Sequence, residues 1–539
     1  MDPQPTRIPR RTFVVGAALT GAAALAGCTR ESVMEGAIVG PNRAVGHRLR
    51  EGTLPVPGRR ERVEVMIVGG GIAGLAAARE LGRASIGETV LVELEGELGG
   101  NSSWGQSGRI PHPWGAHYVP LPGRDAPEIL ALFEELGVIT GRDATGRPIY
   151  REEYLCHDPN ERLFLHGRWQ EGLIPHLGVS AADSAETDRF LARMQELRER
   201  TGADGRPLFT IPVDRSSTDP TWRTLDQETF ATWLDREGFR APPLRWYLDY
   251  CCRDDFGLGT HGVSAWAGLH YFAARSGEAA NAPASAVVTW PAGNGWLMER
   301  LRERAPARVR TGCLVHSVRE MGGWVQVDAI DAATGEALGW EARQVILAVP
   351  QFLAARMLGA AAGDRGMGAV YPPWLVANLS LSRMPRAAGI GPAWDNVLYE
   401  GRGLGYVLAN HQLLEPVMRE AVLTYYLPLD HAPPGEARRE ALEWTWEQAR
   451  DRVLADLSRA HPGLAQLTRR LDIRIWGHGM ICPVPGFLWD GRRERWARPL
   501  GGIHFAHSDL SGMSLFEEAY VRGTEAGRAV AKELSGSNA

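Results

Sequence analysis

The chain has 539 residues, 44% hydrophobic and 23% charged, with a formal net charge of −5. That length holds two or more domains and a large core, and the composition excludes a disordered or fibrous chain. The acidic balance gives no electrostatic footprint for nucleic acid, and Lys532, the only lysine, leaves little for a mechanism that needs a buried one.

Arg10-Arg11-Thr12-Phe13 is a twin-arginine pattern, and an Ala- and Gly-rich apolar run then ends at Leu25-Ala26-Gly27-Cys28. Residues 1–28 therefore predict an export signal with a lipobox in which Cys28 is lipidated. The run is too short and too rich in glycine to span a bilayer, so the protein is expected outside the cytoplasm, in the periplasm or an equivalent space, tethered by lipid alone. The alternative is a short N-terminal helix that stays attached. Cys156, Cys251, Cys252, Cys313 and Cys482 show no CxxC or zinc-like spacing, which predicts ordinary thiols and no metal site. Residues 29–61 are polar and carry Leu54-Pro55-Val56-Pro57-Gly58, the pattern of a linker or loosely packed arm.

The apolar run Val65–Val68 predicts a buried parallel strand. It breaks into Gly69-x-Gly71-x-x-Gly74, and Leu75-Ala76-Ala77-Ala78-Arg79-Glu80-Leu81 continues as a helix with few bulky side chains. The first glycine allows the tight turn, the second lets a pyrophosphate approach the backbone, and the third lets helix and strand pack closely. The helix N-terminus offers free N–H groups and ~+0.5 of a charge to phosphates. A second apolar strand, Thr89–Val92, ends at Glu93. That acid falls about 20 residues past the last glycine, where such folds hold a ribose through its hydroxyls. Strand, glycines, helix, strand and acid in register predict a nucleotide-binding βαβ unit.

Beyond it come Gly99-Gly100-Asn101 and Trp114-Gly115-Ala116-His117-Tyr118, then a helical, aromatic stretch to about residue 284. Residues 309–318 and 324–330 alternate like a hairpin about Gly322-Gly323, and Val345–Val349 reads as a buried strand. A mixed region runs from about 361 to 470. At the far end Gly502–Asp509 reads as strand then loop, Ser514-Leu515-Phe516-Glu517 as a capping box, and Glu518–Leu534 as a helix. Asp509 and a helix N-terminus thus sit together at a strand end, where open parallel sheets bind ligands; the plainer alternative is a strand and helix that merely close the fold. Asp254-Asp255 could attract a cationic ligand, but solvated turn acids are the simpler reading. Arg300, Arg302, Arg304, Arg308 and Arg310 read as a solvated face. His117, His478 and His507 each read as a structural or a proton-tuning histidine.

Together the segments VMIVGGGIAGLAAARELG, VLVELEGELGG, QVILAVP and GGIHFAHSDLSGMSLFEEAYVRGTEAGRAVA resemble the flavin-dependent amine oxidase superfamily, which is similar in turn to phytoene desaturases and protoporphyrinogen oxidases. The likeness spans residues 62–535, with the nucleotide-binding blocks the specific part. It implies an α/β fold: a discontinuous Rossmann-like FAD-binding domain over 62–120, 285–360 and 471–539, and a mixed α+β substrate domain over 121–284 and 361–470. It implies non-covalent FAD, because the Cys-containing attachment turn is missing and Cys482 stands in Ile481-Cys482-Pro483. Gly69, Gly71 and Gly74 would face the pyrophosphate, Glu93 the adenosine ribose, Gly99-Gly100 the flavin side, and the Val315 backbone the adenine. Asp509 would lie near the ribityl chain, and the helix after Ser514 would point its N-terminus at the flavin pyrimidine.

The sequence departs from the family where an arginine often follows the double glycine (here Asn101) and where a lysine commonly stands near flavin N5. The corresponding strand, Trp374–Leu381, offers Ala377 or Asn378. An aromatic-cage tyrosine is replaced by Ala519, with Tyr520 beside it. The resemblance implies an FAD-dependent oxidoreductase that oxidises an amine by hydride transfer, with Trp476, His117 and Asn378 as candidate catalytic residues. It implies a small-molecule substrate and, with the lysine missing, a quinone or protein electron acceptor. The alternatives are a desaturase or dehydrogenase of an apolar substrate, and a non-catalytic FAD-fold binding module.

Overall fold

The computed structural model describes residues 34–51, 53–414 and 419–537. The twin-arginine pattern and Cys28 lie outside the described residues.

The first sheet begins with β1 (Glu61–Val68) and β2 (Thr89–Val92), joined by helix α1 (Ile72–Arg83). The chain leaves through the hairpin β3 (Glu161–Leu165) and β4 (Arg168–Glu171), and through helices that include α2 (Pro242–Phe256) and α3 (Ala265–Ala273). It returns with β5 (Arg308–Arg310), β6 (Cys313–Met321), β7 (Trp324–Asp331), β8 (Ala337–Leu347) and helix α4 (Gln351–Leu358). Then follow β9 (Trp374–Leu381), β10 (Asp395–Leu398), β11 (Tyr406–Leu408), β12 (Ala421–Pro428) and β13 (Thr468–Trp476). Strand β14 (Ile503–Phe505) and helix α5 (Phe516–Ser537) end the described chain.

Two seven-stranded sheets result, ordered β5-β2-β1-β8-β7-β6 with β14 beside β8, and β13-β9-β12-β11-β10-β3-β4. In the first, β5, β2, β1, β8 and β14 run parallel, while β6 and β7 form an antiparallel meander on the other half of β8. Val65, Met66 and Ile67 are fully buried, as a strand covered on both faces requires. Helices α1 and α5 lie together on one face. The small residues of α1 permit this: a Cβ on Gly523 would stand 2.1 Å from the Ala73 carbonyl oxygen, and one on Gly527 2.8 Å from that of Ala77.

The structure corrects several sequence expectations. The strand expected over 309–318 breaks at Gly312, whose φ of +68° turns the chain; β5 then pairs parallel with β2, not with β7. Helix α5 starts at Phe516, which puts Leu515 and not Ser514 at its N-cap, and no capping hydrogen bond from Ser514 is found among the described residues. The polar segment read as a loose linker is docked. Glu35 and Ile38 bridge in parallel to Arg470 and Ile473 on β13, with Leu471 and Ile473 N–H groups each donating at 2.9 Å to Glu35 and Ala37 carbonyls. β13 is a sheet edge, and its unpaired backbone groups recruit the arm through bonds that leave no mark in side-chain composition. The arginine run 300–310 does form exposed ion pairs, with Glu303, Glu299, Glu135, Glu61 and Asp331. The five described cysteines are buried and unpaired. No helix among the described residues is long and apolar enough to cross a membrane.

Candidate functional site

The loop from β1 to α1 has the geometry its glycines allow. Gly69 has φ +106°, and a Cβ on Gly74 would lie 2.0 Å from the Gly69 carbonyl oxygen. The loop 99–101 closes against it: the Gly99 N–H donates to the Gly70 carbonyl at 2.9 Å, and Gly71 bridges to Gly99. Between the loops there is room. A Cβ on Gly71 would meet nothing nearer than the Gly99 oxygen at 4.0 Å, so the backbone of both loops faces a cradle suited to a diphosphate. Glu93 accepts from the Gly70 N–H at 2.7 Å and the Glu95 N–H at 3.0 Å, which fixes the carboxylate at the end of β2. Burial raises its pKa, and the N–H donors of Glu95, Gly70 and Leu94 oppose the rise. Val315 is buried on β6 beside a register shift in the meander.

At the other end of the cleft Asp509 accepts from the Tyr371 hydroxyl at 2.5 Å and the Gln351 N–H at 2.8 Å. Burial pushes this carboxyl up, but His507, Tyr371 and Gln351 together hold it below the usual range. The Asp509 backbone N–H donates to His507 Nδ1 at 3.1 Å. Gln351 Nε2 is buried and has no protein partner. The open cradle, the fixed acid at the end of β2 and this orphaned amide fit a dinucleotide such as FAD.

The substrate side is built from segments far apart in sequence. Glu161 on β3 and Asp395 on β10 are direct register partners in a parallel pair. Asp254 and Asp255 end α2. Glu161 is exposed and Asp254 and Asp395 are partly exposed, yet burial raises the pKa of each. Asp255, 9% exposed and paired with Arg275, is not a solvated turn acid as the simpler reading had it. Among the described residues only Asp255 of these four forms an ion pair: Arg275 sits 3.0 Å from both its oxygens and stacks on Tyr271. Burial and then Asp255 raise Asp254 to about 7. Burial, Glu161 and Asp254 raise Asp395 well above the carboxylate range, and the Tyr250 hydroxyl donates to it at 3.1 Å. Glu517, in the first turn of α5, is also raised to about 7 by burial.

Aromatic rings line the same space. His117 stacks on Tyr426 at 4.7 Å between ring centres and lies 5.5 Å from Trp394 and 5.2 Å from Tyr118. Burial lowers the His117 pKa to about 4, so this ring is neutral at physiological pH. Tyr426 donates to the Gly115 carbonyl at 2.9 Å, which holds the 115–118 turn. Trp476 is half-buried on β13 and donates to the Trp114 carbonyl at 2.8 Å. Asn378 is engaged at both ends of its amide, donating to the Pro113 carbonyl at 3.1 Å and accepting from Thr424 at 2.7 Å. That makes it a tie between β9, β12 and the 113–118 segment. Tyr520 stacks on Phe516 and is buried in the cluster under the first sheet, away from the acids. The sequence reading missed Glu161, Trp394, Asp395 and Tyr426, which no local motif flags.

Residues 67–136 match the model of the NAD(P)-binding Rossmann-like domain. AofH of Mycobacterium tuberculosis (strain H37Rv), whose name describes a flavin-containing monoamine oxidase, is 46% identical over 79 residues, 14% of this chain and 16% of that protein. The match therefore spans about one-sixth of that relative's length. Among solved structures, a putrescine oxidase variant redesigned in cofactor binding superposes with a TM-score of 0.63 at 18% identity, covering 88% of this chain and 99% of its own. Cyclohexylamine oxidase from Brevibacterium oxydans IH-35A superposes at 0.60 and 18% identity over 88% of this chain and 99% of its own. The chain is thus an α/β protein with the fold of these amine oxidases, built on a Rossmann-like dinucleotide-binding domain.

Proposed function

We propose that this chain is an FAD-dependent oxidoreductase that oxidises a cationic small-molecule amine. The observation that carries the reading is the set of Glu161, Asp254 and Asp395: among the described residues none of them forms an ion pair, and the nearby Arg275 is engaged by Asp255. Buried carboxyls without counter-ions are costly in an apolar protein interior, and an ammonium ligand offsets that cost. The same acids weigh against an apolar desaturase substrate.

Gly69, Gly71 and Gly74 would hold the diphosphate, Glu93 the adenosine ribose, and the Gly99–Asn101 and Asp509 segments the flavin end. When bound, FAD supplies the two-electron acceptor for the hydride on the amine-bearing carbon. The residues of the chain do the rest. Asp254, once ionised above about pH 7, draws in the cation, while Tyr118, Trp394, Tyr426 and His117 present ring faces that hold an ammonium and exclude water. His117 is neutral and takes no charge-repelling role.

Anaerobic addition of amines to the flavin-loaded chain tests this: cationic amines are expected to bleach the flavin, and apolar ring compounds are not. Bleaching by the apolar set alone would reverse the reading. No lysine stands on β9, so we assign reoxidation to a quinone or protein acceptor. Rapid, stoichiometric peroxide release with the best amine would count against it.

We also place the protein outside the cytoplasm, exported by the twin-arginine route and anchored through Cys28. Cys28→Ser is expected to shift the chain from membrane to soluble fractions; an unchanged distribution would oppose the anchor.

A further inference from the structure

The docked arm runs from the second sheet towards the end of β2. From its ladder with β13 it runs to Asn42, whose N–H donates to Glu95 Oε1 at 2.8 Å. Gly46 lies against Leu94, and Leu94 and Glu95 directly follow Glu93. Arg43 is tied to the Leu442 carbonyl at 2.7 Å. The arm therefore links the second sheet to the end of β2, and residues 47–50 follow directly.

Those residues bring charge to a particular place. His478 stacks on Phe352, and Arg438, Arg50, His47 and Arg356 all act on it electrostatically; burial and these cations lower its pKa to about 3. The spot adjoins the cradle. Gly479 accepts from Asn101 Nδ2 at 2.6 Å, and Asn101 follows the loop that packs on Gly71. Arg438 Nη2 donates to the Tyr371 carbonyl at 2.6 Å, and the Tyr371 hydroxyl bonds Asp509. Arg438 hydrogen-bonds carbonyl oxygens and no carboxylate. Among the described residues the side chains of His47, Arg50 and Arg356 have neither an ion-pair nor a hydrogen-bond partner. Arginines without a carboxylate partner occur elsewhere too, Arg59 among them, but these guanidiniums stand beside a phosphate cradle, where positive charge favours an anion.

We propose that the arm closes the dinucleotide cleft and that Arg50, with Arg356 and Arg438, forms its outer cationic wall, meeting the diphosphate of the bound dinucleotide. This places the positive charge on the arm, on α4 and on the second domain, where the Gly-rich loops carry only Asn101. The inference rests on the FAD reading above.

The test measures binding of FAD and of riboflavin, which has no phosphate, to the full chain stripped of flavin. Three proteins are compared: wild type, Arg50→Glu and Arg59→Glu. Arg50 and Arg59 are both exposed, so neither change disturbs the core, and Arg59→Glu makes the same change in net charge on the same segment. Arg50→Glu is expected to weaken FAD binding about tenfold at low salt, by less as salt rises, with riboflavin binding unchanged. Arg59→Glu should match wild type. Arg50→Gln serves as a second variant and should fall between wild type and Arg50→Glu. Equal FAD affinity for Arg50→Glu and Arg59→Glu, or an equal loss for riboflavin, would overturn the proposal. A wild-type chain that binds neither ligand would instead bring down the FAD reading, and this inference with it.

Discussion

Gly74→Ala is expected to yield a chain that purifies without flavin and melts below the wild type. The added Cβ would stand 2.0 Å from the Gly69 carbonyl oxygen and 3.4 Å from the Ala348 Cβ. Backbone cannot yield as a flexible side chain does, so α1 must move off β1. It is not free to move, because α5 presses on its other side through Gly523 and Gly527. Overpacking of this kind costs ~1–3 kcal/mol or more, and any relief tilts the helix N-terminus away from the cradle. The flavin-to-protein absorbance ratio and a melting curve measure both effects. Full flavin content in the variant would show that the cradle is misplaced.

The second large effect concerns Asp254. Its carboxyl is raised from 3.8 to about 7, by burial first and by Asp255 second. An ammonium binds the ionised form, so kcat/KM for a cationic amine is expected to climb as pH rises through about 7. Asp254→Asn should remove that limb and lower kcat/KM at pH 8 by ~10–100-fold, the scale of one lost charge-assisted contact. Stability should move the other way. The folded state binds this proton more tightly than the unfolded chain does, so the group is neutral and harmless near pH 4 and increasingly destabilising as pH rises towards 7. Asp254→Asn should therefore raise the melting temperature at pH 8 by more than at pH 5. An unchanged pH profile, or a melting gain independent of pH, would remove Asp254 from the amine site.

The nucleotide half was legible in the sequence because its signals are local. Strand, glycines, helix and acid fall within 33 residues, from Glu61 to Glu93, and each imposes its own backbone geometry. Even there, periodicity ran past Gly312 and merged β5 with β6, since alternation continues through a turn that only a positive φ reveals. The acid cluster was not legible. Glu161, Asp254 and Asp395 are each about 90 or more positions from the next, and their chemistry exists only because β3 and β10 pair side by side with α2 ending beside them. Asp254-Asp255 looks like a solvated helix end until the fold encloses it. The arm was misread for a third reason: its hold on β13 is made by main-chain bonds, to which side-chain composition is blind.

The placement of β8 between β1 and β14 sets an order of events during biosynthesis. The central parallel strand pairs with a partner from the start of the domain and, at its other edge, with one some 440 positions later, and α5 covers α1 across a similar interval. Until β14 and α5 have been made, the nascent chain lacks one wall of its sheet and the helix that seats α1. Such long-range closure is slow, so vitamin-derived ligand can be captured only once residues past 503 have joined the sheet, and a stalled, tethered nascent chain ending before residue 503 should remain colourless.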